Sequence, residues 1–390
     1  MPGILSRRAV LAGSAAMGVA AHVTKALAQE TLKVGVLGTL TGPGAPWGLS
    51  IDGGAHVAAQ DVNDRGGLLI GGRRTLVEIV AYDDQYKAAN AVTAVNRLIG
   101  SDGVRYILGP IASSSVLAIK PITEQEKVLL FSSSWSNQTF KDSKYIFRVG
   151  PTTQEFAPST VNWIKQNRPT VKRVALVSAN DETGWNSQRI QRDAYVRAGF
   201  EIVAAEHFER QQTDFGPLLT KILATNPASI ELDTTPPATT GLIIRQAREE
   251  GFAGQFTKFG GFDVAEIVRT GGAANVEGVV GILQADPASP EWARLKARYA
   301  QFHSNEMGDY TFLFYDAARL LFAALEKAGT TDVDTVAATL EQLTQFAGTV
   351  GELHWGGREA YGIAHQLYTP LFLTEIRGGA GHVIGKVDLS

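Results

Sequence analysis

The chain has 390 residues, with 36 Lys and Arg against 39 Asp and Glu, a net charge of −3. That balance lacks the basic face a nucleic-acid binder needs. The absence of cysteine excludes disulfides, thiolate catalysis, cysteine-ligated zinc, iron–sulfur clusters and a lipid-modified N-terminal cysteine. At roughly 150 residues per domain, and with 44% apolar residues, two or three domains with sizeable cores are predicted.

The N-terminus reads as an export signal. Arg7 and Arg8 precede a small, apolar stretch from Ala9 to Ala21, and Ala26-Leu27-Ala28 forms an A-x-A-like cleavage site. The paired arginines resemble a twin-arginine signal, although Val10 stands where that pattern usually has phenylalanine. The Sec route stays open beside it; a membrane anchor is the competing reading, opposed by the shortness of the run and the cleavage site that follows it. Removal of residues 1–28 leaves 33 basic and 39 acidic residues, a net charge of −6. No later apolar run reaches the ~20 residues of a membrane span. A soluble periplasmic protein without a lipid tether is expected.

Strand and helix signals alternate from residue 31 onward. Residues 32–37 form an apolar strand closed by Gly38, and 50–63 carry Ile51, Ala55, Ala58, Ala59 and Val62 at helical spacing. A strand is predicted over 75–81 and a helix over 87–99, followed by short strands at 106–108 and 128–131. The rhythm restarts after Gly150-Pro151. Strands at 173–177, 201–208 and 229–232 alternate with helices at 187–198 and 242–250. Helices follow at 291–303, 312–327 and 332–343, then turns and short strands from Thr349. Two runs of strand–helix units predict an α/β protein with two Rossmann-like lobes, each a parallel sheet covered by helices.

In such sheets ligands sit beyond the carboxyl ends of the strands. The loops there hold Gly38 to Gly48 with Trp47, then Ser113-Ser114-Ser115 after one strand and Ser132-Ser133-Ser134-Trp135-Ser136 after the next. Hydroxyls and free backbone N–H groups in these places bind a carboxylate without a formal cation. Serine is also a preferred helix cap. The recurrence of serine clusters in successive units, with Trp47 and Trp185 in nearby loops, points to a site.

These residues resemble those of the type I periplasmic binding proteins of the branched-chain amino acid (Leu/Ile/Val) group, the receptors of ABC importers. The likeness runs through Leu32-Lys33-Val34-Gly35-Val36-Leu37 with Leu40-Thr41-Gly42-Pro43-Gly44, then Tyr82-Asp83-Asp84-Gln85 and Ile107-Leu108-Gly109-Pro110. Phe147-Arg148-Val149-Gly150-Pro151, Thr213-Asp214-Phe215, the stretch from Arg245 to Gly251 and Tyr315-Asp316-Ala317 continue it. The resemblance implies two hinged lobes of Venus-flytrap form joined by three crossings. One lobe would hold 31–149 and about 284–347, the other 150–283 and about 348–390. The crossings would lie near Gly150-Pro151, Asp286-Pro287 and Gly348.

The resemblance also implies site roles. Ser113, with Ser114 beside it, matches the ligand-carboxylate serine; Ser136 matches the next hydroxyl, and Ser134 the carbonyl that meets a ligand ammonium. Trp47 and Trp185 stand where tyrosines often wall the pocket. Asp233 and Thr235 belong to a loop lining the second lobe. The acid that commonly meets the ammonium aligns with Gly260, Gly261 or Phe262, with Asp263 and Asp233 close by. If neither aspartate faces the cleft, the ligand lacks the ammonium and is a flat or bulky organic acid. A small-molecule ligand and an ABC permease are the implied partners; no cofactor or metal is implied.

An enzyme is the first rival. No H-E-x-x-H, G-x-S-x-G or P-loop pattern occurs, and the seven histidines lack metal-ligand spacing. Asp83-Asp84 reads either as a solvated strand end or as paired acids for a metal. The second rival is a periplasmic sensor that presents its solute to a signalling receptor.

Overall fold

The computed structural model describes residues 30–389; the export segment read from 1–28 lies outside the described residues. The chain opens with β1 (Glu30–Gly38), α1 (Ala45–Asn63), β2 (Leu68–Ile70), β3 (Arg73–Asp83) and α2 (Ala88–Gly100). It continues through β4 (Tyr106–Leu108), α3 (Ser113–Gln125), β5 (Leu129–Ser132) and β6 (Ile146–Arg148). It then crosses to α4 (Thr153–Asn167), β7 (Arg173–Ala179), α5 (Glu182–Ala198), β8 (Glu201–Phe208), α6 (Gly216–Leu223) and β9 (Ser229–Glu231). Next come α7 (Pro237–Glu249), β10 (Gln255–Lys258), α8 (Val264–Gly271) and β11 (Val280–Leu283). The return carries α9 (Pro290–Tyr299), α10 (Tyr310–Ala328), α11 (Val333–Glu341), β12 (Phe346–Ala347), β13 (Glu352–Gly356), α12 (Arg358–Tyr361) and β14 (Gln366–Tyr368). A last crossing leads to β15 (Phe372–Arg377) and β16 (Ala380–Lys386).

The first sheet has the order β12-β13-β14-β6-β5-β4-β1-β3-β2 and the second β16-β15-β11-β10-β9-β7-β8. The central strands of both are parallel, with antiparallel strands at the edges. The chain reverses its direction of winding between β1 and β4 in one sheet and between β7 and β9 in the other. Ligand crevices form at such switch points.

Helix α1 is rich in Gly and Ala and buried on most of its length. Its small residues admit α10, whose own residues are buried almost all round. A Cβ on Gly54 would stand 2.7 Å from the Thr311 carbonyl oxygen and 2.8 Å from the Tyr315 nitrogen, so the two backbones touch there. Helices α3 and α4 escape a reading by periodicity because each carries a proline in its interior, Pro121 and Pro158.

The C-terminal segment departs from expectation. Residues 346–368 do not join the second lobe: β14 lies beside β6, with Gln366 opposite Arg148, and Leu353 and Leu367 enter the core under α10. The edge of β6 carries unpaired backbone groups that need a partner strand. Only β15 and β16 complete the second sheet, against β11. The third crossing is therefore 369–371 and not Gly348. Near the crossings Arg148 is fully buried. Its guanidinium lies 4.3 Å from the Phe140 ring centre and 4.5 Å from that of Tyr361, and its Nε donates to Gln366.

Replacing Gly54 with Ala is expected to lower stability by ~1–3 kcal/mol through overpacking, measured by urea unfolding. Gly100, where a Cβ meets nothing within 4 Å, supplies the contrast: Gly100→Ala is expected to be neutral or stabilising by up to ~1 kcal/mol.

Candidate ligand-binding site

A narrow cavity lies where the two switch points face one another. From the first lobe it is lined by Trp47 of α1, Tyr86 after β3, Ile111 after β4, Ser133 and Trp135 after β5, and Tyr310 at the start of α10. The second lobe supplies Thr183 of α5, Thr234 after β9, and Gly260 and Gly261 after β10. Four aromatic side chains and three hydroxyl residues thus surround the space, and no lining residue is an acid or a base.

The glycine pair sets how near the lobes come. A Cβ on Gly260 would fall 1.8 Å from Trp135 Cη2, and one on Gly261 2.6 Å from Trp47 Nε1. Trp135 crosses further and meets Phe156 of α4 edge-on, with ring centres 5.6 Å apart. Gly261 adopts φ +59, a region that favours glycine. Two non-glycine residues of the wall also have left-handed backbones, Tyr86 at φ 58 and Thr234 at φ 64. Such strain costs of order 1–3 kcal/mol each and concentrates at functional sites.

Side chains from both strand-end sets hold these loops. Asp84 accepts from Thr39 Oγ1 at 2.7 Å, the Tyr86 N–H at 2.8 Å and Ser115 Oγ at 3.1 Å. Asp83 accepts from the Leu40 and Gln85 N–H groups. The acidic pair therefore braces the loops that carry Trp47 and Tyr86. No group of three potential metal-ligating residues occurs among the described residues.

A clasp of hydrogen bonds crosses the cleft beside the cavity. Ser113 Oγ accepts from the N–H groups of Trp135 at 3.2 Å and Ser136 at 3.0 Å. It also pairs with Thr183 Oγ1 at 3.0 Å. The Ser113 N–H, at the first turn of α3, donates to Thr183 Oγ1 at 3.2 Å, and the Tyr86 hydroxyl lies 3.3 Å from the same oxygen. Ser136 Oγ donates to Glu182 at 2.6 Å, and Asn186 Nδ2 to the Trp135 carbonyl at 3.0 Å. Arg210 of the second lobe stacks 3.9 Å from the centre of the Tyr86 ring. Its charge is matched by Asp181, and Nη1 donates to the Thr234 carbonyl. Burial pushes the hydroxyls of Tyr86 and Tyr310 above the ordinary phenol value, so both stay neutral.

Of the ten side chains singled out in the sequence, Trp47 lines the cavity. Ser113 is buried behind it in the clasp. Ser114 is half-buried on α3 outside the lining. Ser134 Oγ donates to Thr139, while Ser136 is engaged with Glu182. Trp185 is 51% exposed and its Nε1 donates to Asn180. It follows Thr183 by two residues, about 200° around the helix, so the threonine and not the tryptophan faces the cleft. Asp233 is saturated by Thr153, Ser187, Gln191 and the Thr234 N–H. Thr235 Oγ1 donates to the Leu232 carbonyl. Phe262 is fully buried in the second lobe's core. Asp263 caps α8 through the Glu266 N–H, lines a separate cavity with Met307 and Asp309, and is pushed up to about 6 by burial.

The lining residues not singled out are Tyr86, Ile111, Ser133, Trp135, Thr183, Thr234, Gly260, Gly261 and Tyr310. Apart from Tyr310, Tyr86, Thr183 and Ile111, all stand inside loops quoted in the sequence analysis, and Ile111 directly follows the quoted Pro110. Tyr86 directly follows the quoted Tyr82 to Gln85. Tyr310 had no local signal.

Behind the second-lobe loops lies a buried charged group. Lys258 Nζ donates to the carbonyl of Gly260, and Glu231 accepts from Tyr195 and Thr257. Burial, then the nearby Asp233 charge, pushes Glu231 up to about 8. Burial pulls Lys258 down to about 8.

Two α/β lobes, crossed three times by the chain and enclosing an aromatic cavity at both switch points, define a two-lobed binding protein. The chain belongs to the periplasmic binding protein family, which matches residues 31–380. It is similar to the leucine-, isoleucine-, valine-, threonine- and alanine-binding protein of Pseudomonas aeruginosa. The two are 27% identical over 342 residues, 87% of this chain and 89% of that one. A leucine-binding protein from Thermotoga maritima superposes with a TM-score of 0.80 at 22% identity, covering 92% of this chain and 99% of that one. A solute-binding protein of an ABC transporter from R. palustris, in complex with 4-hydroxybenzoate, gives 0.78 at 20% identity, covering 93% and 98%.

Gly260→Ala is expected to hold the lobes apart. With any solute that compacts the wild type in small-angle scattering, the variant should stay expanded and bind at least ~10-fold more weakly; unchanged compaction contradicts the role given to this glycine. A second expectation concerns pH. Between the ordinary carboxyl value of 4.5 and about 8 the folded protein keeps a proton on Glu231 that the unfolded chain releases. Stability therefore falls as pH rises through this window. Urea unfolding at pH 5 and pH 7.5 should show a smaller fall for Glu231→Gln than for the wild type.

Proposed function

We propose that this protein is the periplasmic receptor of an ABC importer and that its solute is a small aromatic or other bulky organic carboxylate without an α-ammonium. The carboxylate meets the hydroxyls and amide N–H groups of the clasp, where Thr183 now pairs with Ser113. The rings of Trp47, Tyr86, Trp135 and Tyr310 wall the rest. A solute touching both lobes stabilises the closed form by its contacts to each, and the closed form is what a membrane permease receives.

The observation that carries this reading is the wall itself. The resemblance aligns the acid that meets an ammonium with Gly260, Gly261 or Phe262; the two glycines line the cavity, Phe262 is buried in the core, and Asp233 and Asp263 are committed elsewhere. An ammonium buried without a partner carries a penalty of several kcal/mol. The 4-hydroxybenzoate complex of the R. palustris protein supports an aromatic acid, whereas the names of the curated relatives favour an aliphatic amino acid.

Calorimetric titration separates the two. Benzoate-type acids are expected to bind in the micromolar range, about −8 kcal/mol, and to raise the melting temperature by mass action. Leucine is expected to leave both unchanged. Tight leucine binding without a response to aromatic acids would refute the assignment.

A further inference from the structure

Two polar atoms of the cavity wall have no hydrogen-bonding partner: Trp47 Nε1 from the first lobe and Thr234 Oγ1 from the second. Their residues are only 8% and 4% exposed, and both line the same cavity. Other hydroxyls of the cleft are matched, as Thr183 is by Ser113 and Tyr86. Buried polar groups are normally paired, and an orphan marks a place where a partner belongs.

Both side chains are held without a hydrogen bond to these atoms. Thr234 has its N–H on Asp233 Oδ1 at 2.9 Å and its carbonyl on Arg210 Nη1 at 3.1 Å, with a strained backbone at φ 64. Trp47 lies against Gly261 and beside Tyr86, with ring centres 6.4 Å apart. The two atoms are therefore preorganised before any solute arrives.

Their chemistry selects the partner. An indole N–H only donates, whereas a threonine hydroxyl donates or accepts. A ligand ammonium has no lone pair for Trp47. A second carboxylate could accept from both, but it would bury a second negative charge in one small cavity whose wall holds no cation. A neutral hydroxyl satisfies both atoms: its oxygen accepts from Trp47 Nε1 and its hydrogen goes to Thr234 Oγ1.

We infer that the solute carries a neutral hydroxyl in addition to its carboxylate, and that Trp47 Nε1 and Thr234 Oγ1 read it. The ligand class is the hydroxylated aromatic acids. This rests on the reading of the cleft as an aromatic-carboxylate site.

The test titrates benzoate, 3-hydroxybenzoate, 4-hydroxybenzoate and leucine into the wild type, Trp47→Phe and Thr234→Val. At least one hydroxylated isomer should bind the wild type ~10-fold or more tightly than benzoate, as expected for a site built to pair a hydroxyl. In each variant that preference should shrink to within about threefold. Circular dichroism and melting temperature establish that the variants are folded. If benzoate binds the wild type as tightly as both hydroxylated isomers, water serves the two atoms and the inference fails while the aromatic-acid reading stands. If the preference survives in both variants, the assignment of these atoms fails. If leucine binds and no benzoate does, the underlying reading falls and takes the inference with it.

Discussion

The cleft depends on a steric constraint: two residues of the second lobe have no side chain where two indoles of the first lobe press against them. Gly260 and Gly261 let Trp135 and Trp47 cross the gap, and Trp135 reaches as far as Phe156. With any larger residue at these positions, the hydroxyls of Ser113 and Thr183 would stand too far apart for their 3.0 Å bond. Closure and the shape of the cavity therefore have a common origin in the absence of two Cβ atoms.

Charge is arranged around the cavity but kept out of it. Arg210 is matched by Asp181, Lys258 holds the Gly260 carbonyl, and Asp233 is filled by hydroxyl, amide and backbone donors. Arg210 and Lys258 donate to the backbone of loops that carry wall residues, and Asp233 ties the Thr234 N–H to α4 and α5. The wall is left with neutral hydroxyls, an indole N–H and aromatic faces. Such a surface recognises a solute by the placement of dipoles in a low dielectric, where each hydrogen bond is stronger than in water.

The loops of the site were readable in the sequence, but the residues within them much less so. The second serine run was quoted whole, yet Ser133 and Trp135 face the cavity while Ser134 and Ser136 bond to Thr139 and Glu182. The same one-residue alternation separates Thr234 from Asp233 and Thr235. In an irregular loop no period decides which side chain points inward; the hydrogen bonds to neighbouring elements decide it. Tyr310 reaches the cavity only because α10 returns from the second lobe, far along the chain from the first-lobe loops that share the wall.

Alternating apolar strands and helices, short loops and glycine stops determined from the sequence alone that this is an α/β protein of two parallel-sheet lobes. They did so because burial periodicity is a local property of the chain. Which lobe takes residues 346–368 was settled only in three dimensions, where the free edge of β6 accepts Gln366. Which hydroxyls remain open to a solute was likewise decided by packing, since a side chain's partner across a cleft comes from a distant part of the chain and leaves no local mark.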